Sequence, residues 1–443
     1  MTSNSVKVKD ILDSGKFSLY QVWICSLCFL LAFFDGFDLS LLSVALPKIA
    51  ESLNSTTAAL GLAMSLGNVG ALIGALVLGM LADRFGRKQM LLISAFTFGI
   101  FTLAISFIQS VEQLILFRFI AGLGLGGAVP NALAFGSEYA PTNKRATLAT
   151  IMYAGVAVGA TSAGLFSSYL LPKYGWQSLF LVGGIIACLI GIIALISLPE
   201  PLEFLIKRGR DKDKDRIRKI VLKIKPSYSS MKDIEFVSSE KRLPGVPFKH
   251  LFREGRATST VLLWMAFILS YYLQWLILSW TPTLLKQSGA STQESSLAFA
   301  CVNMGAIVST VLIGILMDKY NRYNILKIGF FLAFLSVMIF GYFATGSFLV
   351  VAFVSAIMGF FVIGGNSGLM GLAATSYPTD IRGTGLGWAT GVGRAGSLLA
   401  PVIGGIMLTE NWSVNAICTT NAILALVVIL IIFIMQKVNS RKI

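Results

Sequence analysis

Twelve stretches of the chain are almost purely apolar, and short polar segments separate them. A helix rises about 1.5 Å per residue, so a run of roughly 20 residues crosses the ~30 Å hydrocarbon layer of a bilayer. The runs are continuous, where barrel strands would alternate, and a helix satisfies its own backbone groups in lipid. The predicted spans are 19–45, 57–81, 89–109, 112–136, 146–171, 176–198, 257–283, 293–317, 324–344, 347–374, 383–408 and 412–436. A longer polar stretch, 199–256, divides them into six-span blocks at 1–198 and 257–443. Within it, Ile217, Ile220, Val221 and Ile224 sit at helical spacing among charges. This segment reads either as an amphipathic helix on the membrane surface or as a solvated linker helix.

Composition supports the same class: hydrophobic residues make up 55% of the chain and charged ones 13%, too much apolar surface for a soluble fold to hide. The net charge of +15 would suit nucleic acid, but its placement excludes that partner and points to a lipid bilayer. Lys7, Lys9 and Lys16, then Arg84, Arg87 and Lys88, then Lys144 and Arg145, fall in every second loop. The pattern continues through 207–256, Lys319, Arg322, Arg382 and the C-terminal Lys437, Arg441 and Lys442, while the other loops hold only Lys48, Lys173 and Lys286. By the positive-inside rule both termini and the middle stretch are expected in the cytoplasm. Cys25, Cys28, Cys188, Cys301 and Cys418 lie in or beside apolar runs, and His250 stands alone in the basic stretch, so neither a disulfide framework nor a metal site is expected. No cleavable leader pattern precedes the first span.

Two motifs recur. GMLADRFGRK at 79–88 returns as GILMDKYNRY at 314–323, each after the second span of its block. YAPTNKRATL at 139–148 returns as YPTDIRGTGL at 377–386, each after the fourth. Two motifs at nearly one offset imply a duplication with parallel repeats. The G-x-L-x-D-R-x-G-R-K loop resembles the signature of the major facilitator superfamily, and the likeness covers essentially the whole chain. DGFD in span one, FRFIAGLGLGGAVPNA in span four, SEYAP-x3-R after it, WTPTLL closing span seven and TSYPTDIRGTGLGWATGVGRAGSLLAP entering span eleven are together similar to its aromatic acid/proton symporter branch. The resemblance implies an all-α membrane protein, twelve helices in two pseudo-symmetric bundles around a central cavity. It also implies proton-coupled uptake of a small aromatic carboxylate, with protons as coupling ion and no cofactor. The expected setting is a bacterial inner membrane, crossed many times by a monomer.

Asp35 and Asp38 are acids deep in an apolar span, three residues apart and so on one face of the helix. A charge there costs roughly 2.5–3.5 kcal/mol on insertion scales, which makes such residues functional by default. Two neighbouring buried acids make a group that can take a proton on one side and release it on the other. The alternative is an acid paired with an arginine to lock helices together. Gly36 between them permits close backbone approach. Arg118 in span four either neutralises these acids or attracts a substrate carboxylate, and Arg394 in span eleven is the second intramembrane cation. A guanidinium suits a carboxylate because its planar fork donates two hydrogen bonds. Tyr271, Gln274 and Trp275 offer ring faces and a polar group to an aromatic acid, and Asn131, Asn303 and Asn366 are further polar groups in spans. Each of these reads equally as packing.

Asp83, Arg84, Gly86 and Arg87, with Glu138, Arg145, Asp318, Arg322 and Arg382, form a predicted latch of cytoplasmic ion pairs that break when the halves rock. Gly79 is expected to allow close helix approach, and Asn321 in place of Gly86 predicts a different second loop. No phosphate-binding G-x4-G-K-[ST] motif occurs, which argues against direct use of ATP. GVAVGATSAGLF at 155–166 lacks the G-P-x2-G-G of drug antiporters, which favours symport. The rival readings are a symporter for nicotinate, sialic acid or a sugar, and a sensor with a transporter fold. No nucleophile, base and orienting group converge as an enzyme would need.

Overall fold

The structure, a computed structural model, describes residues 5–13, 17–141, 144–208, 210–226, 235–237, 248–253, 256–377 and 382–440. Six helices long and apolar enough to span a membrane come first: α2 (Leu19–Leu53), α3 (Thr57–Phe85), α4 (Arg87–Ile105), α5 (Val111–Tyr139), α6 (Arg145–Tyr174) and α7 (Gln177–Ser197). Six more follow: α10 (Ala257–Gln287), α11 (Thr292–Lys319), α12 (Arg322–Phe343), α13 (Phe348–Ser376), α14 (Arg382–Thr409) and α15 (Val414–Ser440). A short α1 (Val8–Asp13) precedes them, and α8 (Leu202–Arg208) and α9 (Asp211–Ile224) stand between the two sets.

The halves repeat one packing scheme. α3 packs on α5 as α11 packs on α13, α2 on α6 as α10 on α14, and α4 on α7 as α12 on α15. Small residues set the approach of α3 and α5: a Cβ at Gly70 or Gly74 would overlap the α5 backbone, and one at Gly122 or Gly126 the α3 backbone. Lipid gives helices no hydrophobic reason to associate, so such close van der Waals contact is what holds them. Gly36 does allow the approach expected of it, since a Cβ there would overlap the Val156 carbonyl of α6. Gly79 does not; its surroundings are open.

Several helices outrun their predicted spans. α2 continues eight residues beyond 45, through Pro47, to a left-handed cap at Asn54 (φ 47°). Its overhang buries Leu46 and Ile49 and carries an exposed Lys48–Glu51 ion pair of 2.7 Å. Hydropathy marks where lipid ends, whereas the backbone ladder continues until a cap stops it.

Between the halves, hydrogen bonds run from α3 to α14, from mid-helix toward the face opposite the termini. Ser65 donates to the Leu398 carbonyl (2.7 Å) and Asn68 Nδ2 to the Ser397 carbonyl (3.2 Å). Pro401 lacks an N–H, so Ser397, four residues earlier, has a carbonyl without its helical donor, and Asn68 supplies one. Thr57 donates to Gly405, and Thr409 caps the first turn of α3 at Ala58 N (3.1 Å). Toward the face that carries the termini the same helices lose contact: a Cβ at Gly79 of α3 or at Gly387 or Gly391 of α14 would meet nothing within 4 Å. The cavity between the halves therefore opens toward the termini.

On that face the apolar side of α9 is covered by protein. Ile217, Ile220, Val221 and Ile224 are buried, with Leu205 of α8, and Lys223 lies 5.2 Å from the Tyr20 ring at the start of α2. The amphipathic pattern thus marks a helix docked beneath the first half, neither lying on lipid nor solvated all round. Beyond the expected helices, Ser5–Lys7 (β1) pairs in parallel with Glu235–Val237 (β2), tying the N-terminal segment to the middle stretch.

Candidate functional site

The acids and arginines of the membrane interior fall into two separate constellations. In the first, Asp38 accepts hydrogen bonds from Arg118 Nη1 (2.8 Å) and from Thr102 Oγ1. Asp38 is 3% and Arg118 4% exposed, and Phe34, Phe37, Leu41 and Phe98 wall the acid. This knot joins α2, α4 and α5 within the first half.

Asp35 belongs to the second. Residues on a helix advance about 100° each, so a spacing of three leaves side chains about 60° apart. That angle is enough to send Asp38 into the bundle and leave Asp35 (8% exposed) at the cavity. Asp35 has no hydrogen-bond or ion-pair partner among the described residues, and across the cavity it feels the charge of Arg394. Arg394, half-buried on α14, likewise has no side-chain partner among them. Tyr153 of α6 lies within electrostatic reach of both, and Tyr271 of α10 within reach of Arg394 and Tyr153. Tyr153 is 55% exposed although it sits well inside the helix bundle, because it faces the open cavity. Tyr271 is seated by Gly393, where a Cβ would run into its ring, and by an edge contact with Phe267 at 5.9 Å. Asn366 Nδ2 donates to Gln274 Oε1 (2.6 Å) beside Tyr271.

The structure thus brings Asp35, Arg394, Tyr271, Gln274 and Asn366 together and leaves other predicted residues elsewhere. Arg118 is enclosed with Asp38 and is not free to anchor a substrate carboxylate. Asn131 and Asn303 are buried and donate to the carbonyls of Gly127 and Phe299 on their own helices. Trp275, one residue round from Gln274, packs against the hydrophobic core. Sequence reasoning missed Tyr153: a tyrosine in a span carries no mark of whether it faces lipid or cavity.

At the termini face, Arg87 pairs with Glu138 (2.5 Å) and Lys88 donates to the Leu195 carbonyl (3.1 Å). Gly86 turns between α3 and α4 at φ 103°, a left-handed conformation that glycine adopts freely. Its counterpart Asn321 takes φ −61° and caps α12 through its side chain, so the two loops differ as expected. Arg84 lies over the Phe85 ring, and Arg145, Asp318 and Arg322 are exposed without partners among the described residues. The side chains of Asp83 and Arg382, and residues 378–381 of the second repeat motif, lie outside the described residues. Glu200 approaches this turn, and burial pushes its carboxyl above the ordinary value while Lys88, Arg208 and Arg216 pull it down.

Two six-helix halves, with an acid of one and an arginine of the other acting on each other across the seam, define a multi-pass membrane transporter. The chain matches the family model of the Major Facilitator Superfamily over residues 28–393 and 263–442 and belongs to that family. It is 34% identical over 416 residues to the 4-hydroxybenzoate transporter PcaK of Pseudomonas putida, covering 94% of this chain and 92% of that one. It is 35% identical over 439 residues to the protein of the same name from Acinetobacter baylyi (98% and 95% covered), and 30% identical over 417 residues to that organism's benzoate transport protein (92% and 88%). In fold it is similar to the crystal structure of a D-xylose-proton symporter, with a TM-score of 0.73 at 18% identity over 94% of this chain and 98% of that one.

Proposed function

We propose that this protein imports small aromatic carboxylates, of the hydroxybenzoate or benzoate type, together with protons by alternating access. The observation that carries this reading is an acid of one half and an arginine of the other, each without a side-chain partner among the described residues, within electrostatic reach of each other and of a tyrosine from each half. Arg394 is the anchor for the substrate carboxylate, since an intramembrane guanidinium without a protein partner is costly until an anion fills its fork. Asp35 is the proton carrier that faces the substrate, and Asp38 is held by Arg118. Tyr153 and Tyr271 offer ring faces. The names borne by the relatives support the same substrate class.

The lysine and arginine bias supports an inner-membrane setting with both termini in the cytoplasm, so the cavity faces inward here. Residues 1–198 and 257–443 are the rocking bundles, 199–256 is the cytoplasmic linker, and the acting unit is a monomer with no cofactor beyond the coupled proton. Arg87–Glu138 is the formed part of the latch, while Arg145, Asp318 and Arg322 are groups that engage when this face closes.

The test is uptake of labelled 4-hydroxybenzoate into proteoliposomes under an inward proton gradient, with benzoate, nicotinate and glucose as competitors. Gradient-driven accumulation, competed by benzoate and lost in Asp35→Asn, is the expected result. Absence of accumulation, or competition by glucose or nicotinate alone, refutes the substrate class. Undiminished gradient-driven uptake by Asp35→Asn refutes the role of that residue.

A further inference from the structure

The Gln274–Asn366 pair has polar capacity that the carboxylate and proton roles leave unused. Gln274 stands one helical turn from Tyr271 on α10, half-buried, and its amide nitrogen has no partner among the described residues. Asn366 of α13 is 7% exposed, and its Oδ1 is buried with no hydrogen-bond partner among the described residues. The two amides stay bonded if both are turned end for end. Gln274 then donates to Asn366 Oδ1. In the first arrangement the free end of Gln274 is a donor, and in the second it is an acceptor. A ring hydroxyl is both donor and acceptor, so it matches either.

We infer that Gln274, braced from behind by Asn366, reads a hydroxyl on the ring of the bound acid and makes the site prefer hydroxylated over unsubstituted aromatic carboxylates. The inference rests on the aromatic-acid reading. With the carboxylate on Arg394 and the ring beside Tyr271, the far edge of the ring points along α10 toward Gln274. An acid without the hydroxyl leaves that amide end unpaired once the site closes round the ligand. The loss for one such group is about 1–3 kcal/mol, or roughly 5- to 150-fold in affinity. A site built to bond a hydroxyl discriminates strongly for this reason, whereas an apolar pocket hardly distinguishes the two acids.

The experiment is equilibrium binding of 4-hydroxybenzoate and of benzoate to the purified full chain, read as the ratio of the two affinities. Wild type is expected to favour 4-hydroxybenzoate by about tenfold or more. Gln274→Met, which keeps length and removes the amide, is expected to bring the ratio within about threefold while benzoate affinity is retained. Asn366→Leu, which leaves Gln274 unbraced, should fall between them. A ratio unchanged in both variants, or equal loss of both ligands in both, overturns the inference, since a merely structural role moves both acids together. Equal affinities in wild type overturn it too and leave the aromatic-acid reading intact. Wild type that binds neither acid overturns both.

Discussion

Asp35 and Asp38 stand three residues apart on one helix, and their surroundings could hardly differ more. Asp38 is closed in by aromatic and aliphatic side chains and holds Arg118 and Thr102 within its own half. Asp35 has no hydrogen-bond or ion-pair partner among the described residues, and Arg394, the opposite charge that acts on it, belongs to the other half of the molecule. A carboxylate whose partners all move with it contributes to rigidity. One whose counter-charge lies across a moving seam reports on whether the seam is open. The pair divides the labour of two intramembrane acids, one for structure and one for coupling.

Breaking the closed constellation has the largest expected effect. Arg118→Leu leaves Asp38 buried and unpaired, and should cost about 3–5 kcal/mol of stability, read as a large fall in Tm or in folded yield from the membrane. Stability within about 1 kcal/mol of wild type would show that Asp38 is not tied as described. Arg394→Ala, on the open side, should leave Tm nearly unchanged and weaken carboxylate binding by about 10- to 150-fold, as expected for a charged hydrogen-bond partner. Titration of the purified variant with 4-hydroxybenzoate measures it. Thr102→Val removes one donor to Asp38 and should lower stability by about 1.5 kcal/mol, with substrate affinity unaffected. Asp35→Asn should cost no stability, because the acid has no partner among the described residues to lose and the change removes a charge from the membrane interior. A large destabilisation there would erase the distinction between the two acids.

A third acid sharpens the contrast at the termini face. Burial raises the Glu200 carboxyl above its ordinary value. Ionised Glu200 therefore opposes folding, and its contribution is present below the unfolded value and lost as pH rises through the folded one. Glu200→Gln should give a small gain in Tm near neutral pH that vanishes at acid pH.

Much of this was legible in the sequence, because lipid punishes errors of hydropathy and of charge placement. The spans, the duplication and the differing Gly86 and Asn321 loops follow from residue type and position alone. The division between Asp35 and Asp38 does not, since their shared spacing predicts one common face and the 60° between them matters only once α4, α5 and α14 are in place. Arg118 and Arg394 look alike in sequence for the same reason. The docking of α9 was hidden because an apolar stripe shows that something covers it without saying what. Tyr153 was missed because it resembles any tyrosine in a span.

The seam between α3 and α14 has a consequence for anyone scanning it by substitution. Ser65, Asn68 and Thr57 supply side chains, whereas α14 answers mainly with carbonyls of Leu398, Ser397 and Gly405. A carbonyl cannot be deleted by changing a side chain. The closure of the far face will therefore look one-sided in mutational data: sensitive along α3 and nearly silent along α14, except at Thr409, at Gly405, where a Cβ would collide with the Thr57 carbonyl, and at Pro401, whose ring leaves one of those carbonyls available.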